Sequence, residues 1–166
     1  MSYGLIQLRG VDGVLKTLQS LPAEVVSKSG GPVKSALRKG ARVLLQEEAL
    51  NLARATDSLA SIEGESSGLL QSSLIISRGK APTSGKGERM LVRVKRKTYP
   101  GRKGKTVTTL QSANLLEYGS EKQPAEPWIR PAFAAKAESA IRTVEAELIR
   151  GVDRIVERLA RQNRGK

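Results

Sequence analysis

Eleven cations fall within residues 78–105: Arg78, Lys80, Lys86, Arg89, Arg93, Lys95, Arg96, Lys97, Arg102, Lys103 and Lys105, with Glu88 as the only acid. The stretch carries +10 of a formal net charge of +13, leaving +3 for the rest of the chain. The chemistry open to such a cluster is electrostatic attraction to an acidic partner, either nucleic acid or an acidic protein. Its bland alternative is a solvated hairpin whose Lys and Arg blunt a sheet edge, but eleven cations exceed what edge protection requires. No base-reading pattern accompanies them: there is no zinc-finger spacing, no aromatic RNA-binding strand and no helix-turn-helix. The five aromatics, Tyr3, Tyr99, Tyr118, Trp128 and Phe133, are scattered, whereas stacking on single strands needs them clustered.

Other chemistry is hard to assemble from this composition. The chain has no His and no Cys. That removes imidazole acid–base catalysis, Ser-His and Cys-His pairs, and the usual ligands of zinc, haem and iron–sulfur clusters. The close carboxylates, Glu47-Glu48, Glu63/Glu65 and Glu145/Glu147, are adjacent or two apart, and neither spacing shares a helix face. The Gly-rich stretches lack the Gly-Lys-Ser/Thr ending of a phosphate-binding loop. The expectation is a non-enzyme without cofactor or metal. Without Cys there is no disulfide staple, which fits an intracellular setting. Nothing approaches the run of about eighteen apolar residues of a membrane span, and Met1-Ser2-Tyr3-Gly4 does not open a signal peptide.

The 166 residues suit one domain, residues 1–166, in which these side chains must be positioned. Residues 3–8 read as a short strand. Asp12 can cap a following helix with Val11, Val14, Leu15, Leu18 and Leu21 at 3-4 spacing, stopped by Pro22. A breaker cluster ending at Pro32 precedes a helix over residues 33–56 with Val33, Leu37, Ala41, Leu44, Leu45, Ala49 and Leu52 inward. Lys34, Arg38, Arg42 and Glu48 fall outward or at its edges, and Gly40, at a cost of roughly 1 kcal/mol against Ala, is either tolerated in so long a helix or useful where another backbone approaches closely. Polar residues 57–68 read as a loop. Strands are expected at residues 73–77 and 89–99; the second alternates Met90, Val92 and Val94 against Leu91, Arg93, Lys95 and Lys97. With a basic turn and β-prone residues 106–109, this makes a hairpin arm over residues 78–105. From Pro131 the apolar positions Phe133, Ala137, Ile141, Val144, Leu148, Val152, Ile155 and Leu159 keep a near-heptad register, predicting one amphipathic helix over residues 131–162. At 1.5 Å per residue it extends roughly 45 Å, more than one small globule covers, so part of the stripe is free for a neighbouring subunit. A break at Gly151 is the alternative. The fold class is α+β: a small antiparallel sheet with a projecting basic hairpin, packed against helices, and a long C-terminal helix.

Residues 115–133 read Leu-Leu-Glu-Tyr-Gly-Ser-Glu-Lys-Gln-Pro-Ala-Glu-Pro-Trp-Ile-Arg-Pro-Ala-Phe. Physically, Gly119 ends a short apolar element, the prolines force extended backbone, Trp128 and Ile129 anchor the turn, and Pro131 can open a helix. The pattern Glu-Tyr-Gly-Ser, a polar spacer and Pro-Trp-Ile-Arg-Pro-Ala resembles a signature of the tail-completion family of long-tailed bacteriophages. These are minor tail components and head–tail connector or neck proteins, including relatives of the lambda-type minor tail protein Z. Residues 67–74, Ser-Gly-Leu-Leu-Gln-Ser-Ser-Leu, are similar to the family's Thr-Gly-X-Leu-X-X-Ser, with Ser67 in place of Thr. The order of elements is similar over most of the chain, least clearly in the basic stretch.

The resemblance implies a structural virion protein of the tail or neck, assembled in the host cytoplasm. Copies would form a sixfold ring at the head-proximal end of the tail and enable head–tail joining. The partners it implies are further copies of the chain and neighbouring neck and tail-tube proteins, with DNA in the channel and no membrane. Glu117, Tyr118, Gly119, Pro127, Trp128, Ile129, Arg130 and Pro131 match the motif and are expected in fold or interface. The reading from another class is a non-specific nucleic-acid-binding protein that uses the basic hairpin.

Overall fold

The computed structural model describes residues 31–63, 68–80, 87–101 and 105–164. The expected strand at residues 3–8 and the Asp12-capped helix lie outside the described residues, as do Lys86, Arg102 and Lys103. In chain order the elements are α1 (Pro32–Glu63), a 3-10 turn (Gln71–Ser73), β1 (Leu74–Arg78), β2 (Met90–Val94), β3 (Thr98–Pro100), β4 (Thr106–Thr108), α2 (Thr109–Tyr118) and α3 (Ile129–Arg164). The class is α+β, dominated by two long helices.

Helix α1 opens as its residues dictate. Pro32 takes the first helical position, where a missing N–H costs nothing, and the Gly31 carbonyl accepts from the N–H of Lys34 at 3.1 Å and of Ser35 at 3.3 Å. The helix does not stop at residue 56. It continues through residues expected to form a loop, to Glu63. Asp57, Ser58 and Ser61 are mediocre helix formers at only tenths of a kcal/mol each, and the first true breaker is Gly64. Its inner face is narrower than the predicted stripe: Ala36, Ala41, Leu52 and Ala55 are buried, while Val33, Leu37, Leu44, Leu45 and Ala49 are half-buried. Glu48, expected outward or at an edge, is buried.

Helix α3 runs antiparallel to α1 and is unbroken at Gly151. Three contacts fix the pairing. Gly151 lies against Pro32, where a Cβ would come within 2.4 Å of the proline ring. A Cβ on Gly40 would meet Val144 Cγ2 at 2.4 Å and the Ala140 carbonyl at 2.9 Å, the close approach its sequence position suggested. Near the start of α3, Asn51 Nδ2 donates to the Trp128 carbonyl at 3.3 Å. Ion pairs Lys39–Glu147 at 2.5 Å and Lys136–Glu47 at 3.7 Å flank the seam. At 36 residues, α3 is about 54 Å long. Leu148 of its heptad stripe is buried; Phe133, Ala137, Ile141, Val144, Val152 and Ile155 are only half-buried.

There are two antiparallel two-stranded sheets; the first packs against α1, and the second leads into α2. In the first, Leu74 pairs with Val94, Ile76 with Val92 and Arg78 with Met90. In the second, Tyr99 pairs with Val107. The alternation expected along β2 is present, with Val94 buried, Met90 and Val92 half-buried, and Leu91 and Arg93 exposed. The single strand expected over residues 89–99 is instead divided. After Lys95, whose N–H still reaches the Ser73 carbonyl at 2.7 Å, the chain turns a corner at residues 95–97 before β3 begins. Thr109 explains the corner. Its hydroxyl donates to the Lys95 carbonyl at 2.8 Å and accepts from the Lys97 N–H at 3.0 Å, and its own N–H donates to the Lys97 carbonyl at 3.0 Å. Leu52, Leu70, Val94, Ala113, Leu116 and Trp128 meet in the core, with Leu74 against them.

Candidate functional site

The residues that carry the family resemblance converge on the joint between α2 and α3. Thr108 caps α2 by accepting from Gln111 N–H, while the Gln111 side chain accepts from the Thr108 N–H at 2.8 Å. This reciprocal capping box was legible in Thr-x-x-Gln. Gly119 ends α2 at φ +71°. A Cβ there would come within 2.7 Å of the Ala125 nitrogen, so the returning backbone leaves no room for one. The returning segment is tied down by Glu126 N–H donating to the Leu116 carbonyl at 2.8 Å.

Glu117, only 2% exposed, then does for α3 what a local cap does for an ordinary helix. Its Oε2 accepts from the backbone N–H groups of Trp128 at 2.8 Å and Ile129 at 2.9 Å; its Oε1 accepts from that of Arg130 at 3.3 Å. Four N–H groups at a helix start have no intrahelical acceptor. Glu117 takes three of them, and Pro131, at the third helical position, has none to offer. The carboxylate also lies at the positive end of the helix dipole. Arg130 clamps it through Nε to Oε1 at 2.8 Å and Nη2 to the Glu117 carbonyl at 3.1 Å, with the guanidinium 5.4 Å from the Tyr118 ring centroid. Burial pushes the Glu117 carboxyl upward, but the hydrogen bonds from Ile129, Trp128 and Arg130 outweigh it and hold the group below its ordinary value.

Trp128 is fully buried, its indole N–H aimed at the Ala113 carbonyl at 3.4 Å. Ile129 departs from expectation: it is 38% exposed and does not anchor the turn. Pro127 is exposed and keeps the approach extended. Helix α3 begins two residues before Pro131, because Glu117 satisfies the earlier N–H groups from outside the local sequence. Glu48 of α1 is the group sequence reasoning misplaced. Burial first, and the negative charge of Glu117 second, push its carboxyl from 4.5 up to about 7. The spacing did carry a signal: Ala41 and Leu44 stand seven and four residues before Glu48, and Leu52 and Ala55 four and seven after it, all on one helix face.

The basic residues occupy a different region. Arg78 pairs with Glu88, Nε donating to Oε2 at 2.8 Å and Nη2 to Oε1. Lys80, Arg89, Arg93, Lys95, Arg96, Lys97 and Lys105 have no acidic partner among the described residues, and all but the half-buried Lys97 are exposed. They span two hairpin units rather than one arm. Tyr99, the aromatic of this region, is half-buried with its hydroxyl bonded to Ser112.

Among the described residues, no group of His, Cys, Asp and Glu could hold a metal ion, and no helix is long and apolar enough to cross a membrane. Compared with protein-family models, curated proteins and solved structures, the chain matches none.

Proposed function

We propose that the chain is a structural protein of the neck or tail of a long-tailed bacteriophage, of tail-completion type. Copies form a ring, sixfold by the resemblance, at the head-proximal end of the tail, and the ring enables head–tail joining through contacts with neighbouring neck and tail-tube proteins. In this reading the protein has no catalytic role, works in the virion and assembles in the host cytoplasm.

The observation that carries this reading is apolar surface left over on the long helix pair. Ile149 and Val156, seven residues apart on one face of α3, are 63% and 58% exposed, beside a heptad stripe that α1 covers only by halves. Apolar side chains grouped on one exposed helix face mark an association surface, and copies joined head to tail close into a ring where the rotation between them closes. The motif joint adds support: Glu117, Gly119, Trp128, Arg130 and Pro131, matched to the family by type and spacing, act as one structural unit.

Native mass spectrometry and negative-stain imaging of the purified chain, alone and with phage tail tubes, test the proposal. Ring-shaped oligomers or particles capping the tube are expected, and Ile149→Glu with Val156→Glu should abolish them. A chain that remains monomeric and also fails to bind tails overturns the reading.

A further inference from the structure

We propose that the outer face of β2 and the corner after it form a docking surface for duplex DNA, bound through the phosphate backbone without sequence preference. The inference does not depend on ring formation. Alternation along β2 puts Arg89, Leu91, Arg93 and Lys95 on one side. The opposite side, Met90, Val92 and Val94, faces inward, with Val94 in the core. The Arg89 stem lies over Gly79 beside Leu91, since a Cβ on Gly79 would meet Arg89 Cδ at 2.9 Å and Leu91 Cδ1 at 3.2 Å. At about 3.3 Å per residue, the row from Arg89 to Lys95 extends roughly 20 Å. A duplex presents about one negative charge per 1.7 Å of axis over that length. Arg96 and Lys105 extend the positive surface past the corner, and Glu88, the acid of the stretch, is already engaged by Arg78.

Three features favour duplex DNA over other polyanions. Protein interfaces centre on a desolvated core with aromatic anchors and few charges, whereas this face has no aromatic and a single leucine among its cations. Single strands are held by stacking on aromatic rings, and Tyr99 is half-buried and bonded to Ser112. The wide major groove of B-form DNA leaves the phosphates on both its walls open to an exposed strand face, whereas that of A-form RNA is deep and narrow.

The test is fluorescence anisotropy of the full chain with a labelled DNA duplex over a salt series. Engagement of about five cations predicts a log–log salt slope near −4.5 and roughly 500-fold weaker binding at 200 mM than at 50 mM salt. Arg93→Gln, Lys95→Gln and Arg96→Gln together should flatten the slope by about 2.7. Arg38→Gln, Arg42→Gln and Arg158→Gln, which remove the same charge from exposed helix positions, should leave it nearly unchanged. Circular dichroism checks folding, and Arg89→Gln with Lys105→Gln provides a second reading should the first set misfold. The inference is overturned by absence of binding at 50 mM salt, or by a helix set that weakens binding as much as the hairpin set. Equal or tighter binding of polyglutamate, single-stranded DNA or duplex RNA overturns it too, polyglutamate pointing instead to an acidic protein. Oligomeric state is measured on the same samples, so a DNA-binding monomer sinks the ring and keeps this surface, and a ring without DNA binding does the reverse.

Discussion

The α2–α3 joint and the basic face of β2 treat charge in opposite ways. At the joint the Glu117 carboxylate is 2% exposed and receives three backbone N–H groups and a guanidinium. In the basic stretch seven described cations have no acid beside them, and only Arg78 is matched. A buried charge persists only where donors replace water, so the joint's charge has to be matched for the chain to fold. Exposed cations carry no such requirement, and leaving them unmatched stores potential for a partner. Both regions are rich in charged residues; what separates them is where burial falls.

The largest break in that contrast is Glu117→Ala. It removes the acceptor for three backbone N–H groups, so the loss of stability should be about 3–5 kcal/mol, at roughly 1–3 kcal/mol for each donor left unpaired, while the exposed Arg130 guanidinium returns to water. Glu117→Gln keeps one acceptor oxygen and should recover part of it. Urea denaturation reads both; a loss under about 1 kcal/mol for the alanine variant would show that the joint does not hold the fold.

Glu48 sharpens the comparison through pH. Its carboxyl titrates near 4.5 when unfolded and near 7 when folded. Across that window the folded chain holds a proton that the unfolded chain releases, so this contribution to stability falls as pH rises from about 4.5 to about 7, then levels off. The decline should be roughly 3 kcal/mol. Glu117 acts with the opposite sign: its folded value is depressed, so its contribution is present above 4.5 and is lost as pH falls through the folded value. Charge settles on the carboxylate that has donors, and Glu48 carries the penalty. Glu48→Gln should therefore flatten the decline between pH 5 and pH 8 in urea midpoints and leave the acid limb in place.

Backbone spacing gives the next smaller effects. Gly119→Ala requires a side chain at φ +71° and 2.7 Å from a backbone nitrogen, and Gly40→Ala pushes a methyl into Val144 and the Ala140 carbonyl. Overpacking of this kind costs about 1–3 kcal/mol. At Gly40 the gain in helix propensity, about 1 kcal/mol, offsets part of it, so Gly119→Ala should be the worse of the two in thermal melts.

How far these features were legible in the sequence follows from their range. Pro32, Gly119, the β2 alternation and the α3 heptads are local patterns, and each corresponds to a feature of the structure. The capping box of Thr108 and Gln111 was equally local, and α2 could have been read from it. What escaped was set at a distance. Glu117 caps a helix that starts twelve residues later at Ile129, and nothing in Glu-Tyr-Gly-Ser says where that carboxylate will point. Glu48 is the local exception: it shares the helix face of Ala41, Leu52 and Ala55, and its charge outweighed that spacing in the reading. The corner at residues 95–97 depends on Thr109, which reaches back fourteen residues to Lys95. The polar run after Thr56 was misread because composition outweighed the absence of a breaker.

The smallest effect on stability is expected on the basic face, where it is most informative. Neutralising Arg93, Lys95 and Arg96 should change stability by no more than about 0.5 kcal/mol, the range of ordinary surface substitutions. Glu88→Gln probes the opposite side of the same ribbon, where Arg78 stands across from Met90. It removes the acid that engages Arg78, a pair with half-exposed guanidinium worth at most about 1 kcal/mol, and it frees one more cation. If matched charge serves the fold and unmatched charge serves a partner, this variant should lose little in urea melts. Its affinity for duplex DNA and its salt slope should stay close to those of the parent chain, because Arg78 lies on the side of the ribbon away from Arg89, Arg93 and Lys95. A salt slope steeper by about 0.9 would mean that the docking surface continues round the end of the hairpin to Arg78.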